Sequence, residues 1–425
     1  MSAIAIPESC DTILVSCDRG VVSIMRNGTT FVSLIDDTSG IDHNAPCGDK
    51  FYIVRFGDGS TEASNNVPTC CSTRFSTYLI TINHDTSESS FGSFSLLVPL
   101  VEIILQYLHG REDVIEGPWK LAHRLALFSD EAVVESSLSI IQNSLGTLEA
   151  IARVRPLLGE GNDLLLGYEF RSETGWRGPV SLRADDGPLD HVTGSQALAL
   201  SNRSGQLQLQ LLVPRGDVIG HYTHDTEEIT DTPWNFFTKL PPVQGGLQVL
   251  AISLIQSGPD QLAAIARVAP PNSSVSSLVG YVLNQGSVWE GPFELRSDVG
   301  PINNVTGQHA FIQSGENTFE LLVPIGPRII DCRFEQQTFP QEEGRFIAAL
   351  NPPENNEQIQ PVSLALTRSI SGNLELAARV RPPYGEDFMV GYVYNQETNS
   401  WQGPSDLLDE NGQRIVARSA EQPRM

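Results

Sequence analysis

Four arginines stand at matched places along this chain, each closing the same kind of apolar run. Ile151-Ala152-Arg153-Val154, Ile265-Ala266-Arg267-Val268 and Ala377-Ala378-Arg379-Val380 match one another, and Arg26 ends a similar run that begins at Val22. A guanidinium offers five donors in a planar fork and stays charged, so an arginine at a loop base either locks a carboxylate or holds a ligand carbonyl or hydroxyl. Both readings stand for Arg153, Arg267 and Arg379. For the lock, acidic turns such as Asp185, Asp298 and Glu410 are the expected partners. Tyr168, Tyr222 and Tyr281, each in a Gly-Tyr or His-Tyr strand, add hydroxyl donors, and Trp234 and Trp289 add aromatic walls. These eight residues are the candidate ligand contacts.

Other chemistries lack their residues. The chain has no HExxH, no G-x-S-x-G, no P-loop and no EF-hand loop, and its eight histidines do not cluster at ligand spacing. His221 and His224 are three apart on an expected strand and so point to opposite faces. The Ser-x-Asp-x-Gly-x-Thr-Trp turn of sialidase-like folds is missing too, which argues against paired-carboxylate glycoside hydrolysis. Neither a metal nor a cofactor is expected.

The elements that would position these residues repeat. Leu96-Leu97-Val98-Pro99, Leu211-Leu212-Val213-Pro214 and Leu321-Leu322-Val323-Pro324 mark one type of unit, and the Ala-Arg-Val runs mark a second that alternates with it. Each unit continues into a strand and then a tryptophan beside proline: Trp119, Trp176, Trp234, Trp289 and Trp401. The interval is about 55 to 60 residues, doubled once near Phe339 to Phe346, where a tryptophan has been lost. Alternating apolar residues give four short strands per unit, for example Leu198 to Ser201, Leu207 to Val213, Val218 to His224 and Trp234 to Leu240. No helical period persists, and a rolled β-helix would repeat faster. The reading is a single all-β domain over 1–425, a seven-bladed β-propeller of four-stranded blades in two alternating types. The expected blades are 12–75, 76–130, 136–190, 195–245, 249–305, 308–355 and 361–415, and the tryptophans pack one blade on the next.

Composition narrows the partners. With 40% hydrophobic and 18% charged residues, 36 Gly and 27 Pro, the chain is globular and rich in turns. Its formal net charge of −24 opposes a phosphate backbone or an anionic membrane. The start, Met1 to Pro7, lacks the basic and apolar segments of a signal peptide, so a cytoplasmic protein is expected. The six cysteines show no CxxC spacing, and free thiols are expected. Gly57 to Ser76 is read either as a lid over the arginine face or as a disordered insertion.

Units of the form Leu-x-x-x-Ala-Arg-Val, Gly-Tyr, Trp-x-Gly-Pro resemble the blades of tectonin-like lectin propellers, a likeness that implies glycan binding. A multivalent lectin should repeat its contacts, yet Tyr222 corresponds to Cys332 and His224 to Phe334. That divergence fits one asymmetric pocket for a small-molecule ligand. A propeller of this size without a catalytic signature also resembles the fungal hetero-Diels-Alderases of tropolone-sesquiterpene biosynthesis. This second likeness implies a cofactor-free cyclase that orients an electron-poor enone or quinone methide against an alkene. A protein-interaction scaffold is the third reading.

Overall fold

The computed structural model describes 93–417 apart from short loop stretches and, N-terminal to it, strands at 12–17, 20–27, 30–33, 54–55, 61–62 and 82–85. The chain forms two compact units, Met1–Arg74 and Phe75–Met425. In the first, Thr12–Cys17, Gly20–Asn27 and Thr30–Ser33 pair as a three-stranded antiparallel sheet, and Val54–Arg55 pairs with Thr61–Glu62.

The second unit is a β-propeller of six blades, each an antiparallel sheet whose four main strands follow chain order from the inside outwards; Val416–Ala417 adds a short fifth strand to the last. Blade 1 runs Ile82–Asp85, Ser93–Leu100, Ile103–His109, Lys120–Ala126, and blade 2 runs Glu131–Gln142, Leu148–Pro156, Leu164–Arg171, Gly175–Ser181. Blade 3 is Ala197–Arg203, Gln206–Arg215, Val218–His224, Asn235–Lys239, and blade 4 is Gln248–Gly258, Gln261–Ala269, Ser277–Leu283, Trp289–Glu294. Blade 5 is Ala310–Gln313, Thr318–Ile325, Arg328–Glu335, Arg345–Leu350, and blade 6 is Gln360–Arg368, Leu374–Arg381, Asp387–Asn395, Ser400–Asp406. Blades 1, 3 and 5 are the first type and blades 2, 4 and 6 the second.

Six blades, not seven, is a correction with a physical reason. The ring closes without the N-terminal sheet: Phe94, Leu96, Val98 and Trp119 of blade 1 pack directly on Ala377, Met389, Val393 and Leu407 of blade 6. The Trp119 amide also donates to the Leu408 carbonyl at 2.8 Å. The stretch expected to supply blade 12–75 belongs instead to the unit Met1–Arg74. Two-stranded sheets, Arg183–Ala184 with Gly187–Pro188 and Arg296–Ser297 with Gly300–Pro301, follow blades 2 and 4.

Each sheet is buried on both faces, so its inner strands read as nearly unbroken apolar runs. In Gln206–Arg215, Leu209, Leu211 and Val213 face blade 2 while Leu212 faces blade 4. Six apolar clusters fill the six seams. At about 25 cal/mol per Å² of buried apolar surface these seams are the main source of stability.

The two blade types interlock through glycine. In the second type, Gly167, Gly280 and Gly391 leave room on the third strand for residues of the following blade's last loop: Ile229, Pro340, and Val114 with Ile115. The glycine of each Gly-Pro pair lies under the same strand. Gly178, Gly291 and Gly403 have φ of +115°, +130° and +113°. There a Cβ would approach the carbonyl oxygens of Gly167, Gly280 and Gly391 to 2.7, 2.8 and 2.7 Å.

Where blade 5 lost its tryptophan, Gly344 stands in its place. The Phe334 ring occupies the freed space, 2.6 Å from where a Gly344 Cβ would be, and Phe339 packs on Phe311, Phe319 and Phe334. Blades 1 and 3 keep a histidine on tryptophan there, His109 on Trp119 and His224 on Trp234.

Gly291→Ala should therefore cost more than about 2 kcal/mol, since it adds a backbone clash to a left-handed conformation. Gly300→Ala, at φ +127° with nothing within 4 Å of the new Cβ, carries only the conformational cost. Thermal melts of the two variants should rank Gly291→Ala as the less stable; equal melting temperatures would contradict the interlock.

Candidate functional site

The repeated arginines sit at the base of the loop between second and third strands, and the partners of Arg153 and Arg379 lie in the same blade. Arg153 donates through Nε and Nη2 to Asp163, and Arg155 grips the same carboxylate at 2.6 Å. Arg379, fully buried, repeats this with Asp387, joined by Arg381 at 3.1 Å. In blade 4 the carboxylate position is Ser276, whose hydroxyl donates to the Val305 carbonyl, and Ala269 stands where Arg155 and Arg381 do. The acidic turns expected as partners do something else. Asp185 and Asp298 accept from the amides of Phe236 and Phe346, tying blades 2 and 4 to the outer strand of the next blade.

The other candidates are distributed among seams. Tyr168 donates to the Ala126 carbonyl of blade 1 at 2.9 Å, and burial pushes its hydroxyl pKa up. Tyr222 and Trp234 share the seam between blades 2 and 3, with Arg215 5.8 Å over the Tyr222 ring. Tyr281 and Trp289 share the seam between blades 3 and 4, and burial raises the Tyr281 pKa as well. Arg153, Arg267 and Arg379 stand in three different blades. The eight residues do not meet in one pocket.

The residues that do assemble lie where a first-type blade meets the second-type blade after it. Each second-type tryptophan donates its indole N–H to a buried polar side chain on the third strand of the preceding blade. Trp176 donates to Gln106 at 2.8 Å, Trp289 to His221 Nδ1 at 3.1 Å and Trp401 to Asp331 at 2.8 Å. Each acceptor then joins a partner on the second strand: Gln106 donates to Ser95 at 3.2 Å, and His221 bonds Gln210 at 2.8 Å. In blade 5, Asp331 neighbours Glu320. An indole N–H only donates, so the direction of every relay is fixed from tryptophan outwards.

The three relays share a plan and differ in charge. In the third, Glu320 is fully buried and gripped at both oxygens by Arg333, at 2.9 and 3.0 Å, with Ser314 at 3.1 Å. Burial pushes the Asp331 carboxyl up to about 8, and the neighbouring Glu320 adds to it; the Trp401 indole and the Arg333 charge act against this. Asp331 Oδ1 has no partner while both groups are ionised, and a proton there supplies one, the donor to Glu320.

These polar residues carry a faint sequence signal. Ser95, Gln210 and Glu320 each stand one residue before a Leu-Leu-Val-Pro run, a polar position inside an apolar strand. His221 and His224 face different seams, toward Trp289 and Trp234, as strand alternation requires. On the innermost strands, Gln256 of blade 4 and Asn202 of blade 3 bond each other across the two blades. Cys332 is a buried free thiol, as expected. The side chains of the other cysteines and most of Gly57 to Ser76 lie outside the described residues. Among the described residues there is no cluster of metal-ligating side chains, and no helix is long and apolar enough to cross a membrane.

The fold is shared with known propellers at low identity. An α-L-arabinofuranosidase from Fusarium graminearum, solved as a point mutant with an iminosugar inhibitor, matches at 11% identity and TM-score 0.55, covering 77% of this chain and 96% of that one. A Dyadobacter fermentans protein of unknown function matches at 10% identity and TM-score 0.50, with 76% and 95% coverage. A six-bladed fungal lectin, from Aleuria aurantia, matches at 10% identity and TM-score 0.42, with 67% and 82% coverage. No protein-family model and no curated protein matches the sequence.

Two outcomes follow from the buried charges. Asp387→Ala takes the carboxylate from the fully buried Arg379 and should cost about 3–5 kcal/mol in chemical denaturation; a loss below about 1 kcal/mol would contradict the lock. Asp331 binds its proton more tightly folded than unfolded, so its contribution to stability must fall as pH rises from about 4 to about 8 and then level off. Denaturation of the protein and of Asp331→Asn across that window should show the difference between them shrink or reverse with rising pH; a constant difference would contradict the raised pKa.

Proposed function

We propose that the Phe75–Met425 propeller binds a small hydroxylated ligand, a saccharide, in the seams where first-type blades meet second-type blades, and that it does so without covalent chemistry. One observation carries the reading: the Trp176, Trp289 and Trp401 relays place a hydrogen-bonding side chain, Ser95, Gln210 or Glu320, in otherwise apolar seams. Aromatic and aliphatic walls with few directional polar groups suit a ring that is apolar on its faces and polar at its edges. The arabinofuranosidase that shares the fold is described with an iminosugar bound, which supports a sugar-sized ligand.

Binding is favoured over hydrolysis. Glycoside hydrolysis needs two carboxyl groups about 5–9.5 Å apart with the sugar between them. Glu320 and Asp331 are instead fully buried, Glu320 held at both oxygens by Arg333 and Asp331 by the Trp401 indole. The cycloaddition reading calls for an enclosed apolar pocket lined by the proposed arginines, tyrosines and tryptophans. Those side chains are dispersed over several blades and seams, and no comparison supports a Diels-Alderase.

A glycan array followed by calorimetry on the strongest hit should give saturable binding, with no hydrolysis of chromogenic arabinosides. Silence across common neutral and acidic glycans would overturn the reading, as would turnover of an arabinoside.

A further inference from the structure

The relay between blades 5 and 6 follows the plan of the other two only when it carries a proton. In those two, the third-strand residue accepts from an indole and donates onward to the second strand. Gln106 gives its amide to Ser95, and His221, whose Nδ1 accepts from Trp289, gives its Nε2 proton to Gln210. A carboxylate in that place accepts from Trp401 but has nothing to give. A carboxylic acid does both.

The charges around Asp331 do not balance without that proton. Arg333 lies opposite Glu320 on the paired strands, and Asp331 is two residues before Arg333, so all three project from one face of the sheet. Glu320 and Asp331 are fully buried, and Arg333 is committed to both oxygens of Glu320. On the outer strand of blade 5, Ala348 lies opposite Asp331, and Arg345, opposite Arg333, is exposed. Blade 6 presents the neutral Trp401, together with Tyr394 and Tyr392, whose hydroxyls are given to Asn399 and to the Asn351 carbonyl. Cys332 points into the opposite seam. Ionised Asp331 is therefore a second buried negative charge beside one committed arginine, and its Oδ1 has no donor. Solvent can supply one only if the half-buried Trp401 and its strand, Ser400–Asp406, give way.

We propose that this seam is a proton-operated clasp: a proton on Asp331 joins Trp401, Asp331 and Glu320 into one donor chain that holds the outer strand of blade 6 on blade 5, and its release hydrates the seam and loosens that strand. The closed clasp binds the proton more tightly than the open one. Opening is therefore favoured as pH rises from the ordinary carboxyl range to about 8, and levels off above it. The device operates without any ligand. The relay between blades 1 and 2, built on Gln106 and Ser95, has no titratable member and serves as the reference.

Hydrogen exchange of the full chain, expressed as protection relative to an unstructured peptide at each pH, reads the strand directly. Protection of Ser400–Asp406 should fall about tenfold or more between about pH 6 and about 8 and then level off, while that of Gly175–Ser181 in blade 2 stays constant. Asp331→Asn offers Trp401 an oxygen and Glu320 an amide at every pH, and should hold protection of Ser400–Asp406 level across the range. Glu320→Gln, which copies Gln210 of blade 3, removes the like charge and should move the levelling point down by about one pH unit or more. Both substitutions keep side-chain size, and the profile of the parent needs neither. Flat protection of Ser400–Asp406 in the parent, a fall shared equally by Gly175–Ser181, a fall that persists in Asp331→Asn, or a levelling point unmoved by Glu320→Gln would each overturn the clasp.

Discussion

The absence of a side chain at Gly167, Gly280 and Gly391 governs how the ring is assembled. Each of these glycines leaves a recess in the third strand of a second-type blade, and a loop from the following first-type blade enters it with Ile229, Pro340 or the Val114–Ile115 pair. The glycine before the neighbouring proline must then take a left-handed conformation to pass under the same strand. One face of each second-type blade is thus committed to a loop, while the other receives its tyrosine and tryptophan contacts with the preceding blade. Two kinds of seam result, and they alternate around the ring.

The two kinds of seam have been filled in different ways. Where a second-type blade meets the next first-type blade, buried carboxylates accept from loop amides: Glu375 from Val114 at 3.1 Å and Glu149 from Ile229 at 3.5 Å. The third such seam has Ala263 at that place and solves the problem with phenylalanines instead. Where a first-type blade meets a second-type blade, a tryptophan drives a chain of donors into the preceding sheet. Its end point has drifted from hydroxyl to amide to carboxylate, and with it the electrostatics of the seam. A shared scaffold with non-identical termini is how one of three related places becomes chemically distinct from the others.

Much of the fold was legible because its signals are local. The Leu-Leu-Val-Pro and Ala-Arg-Val runs set strand position and blade type, and the doubled interval near Phe339 correctly marked a lost tryptophan. The count of seven failed because ring closure is a non-local property: the resemblance of Val22–Arg26 to Ala264–Arg267 is a strand resemblance, and it says nothing of which sheet seals the ring. The site was less legible. Arg153 and Arg379 are conspicuous in sequence, but their aspartates lie eight to ten residues onward at the next strand start. The relays join residues about 70 apart, such as Trp289 with His221 and Trp401 with Asp331. Only the pairing of adjacent sheets brings these together.

The replacement of tryptophan by Gly344 also bears on how such a ring can change. Phe334 and Phe339 fill the vacated volume from two different stretches of the same blade, and Ala263 in the preceding blade has no carboxylate left to satisfy. These substitutions make sense only as a set, and the set straddles a blade boundary. The natural unit of inheritance in this protein is therefore larger than the blade. A second-type blade and the first-type blade after it, about 110 residues together, form the segment that can be duplicated, exchanged or lost without leaving a recess unfilled or a buried charge unanswered.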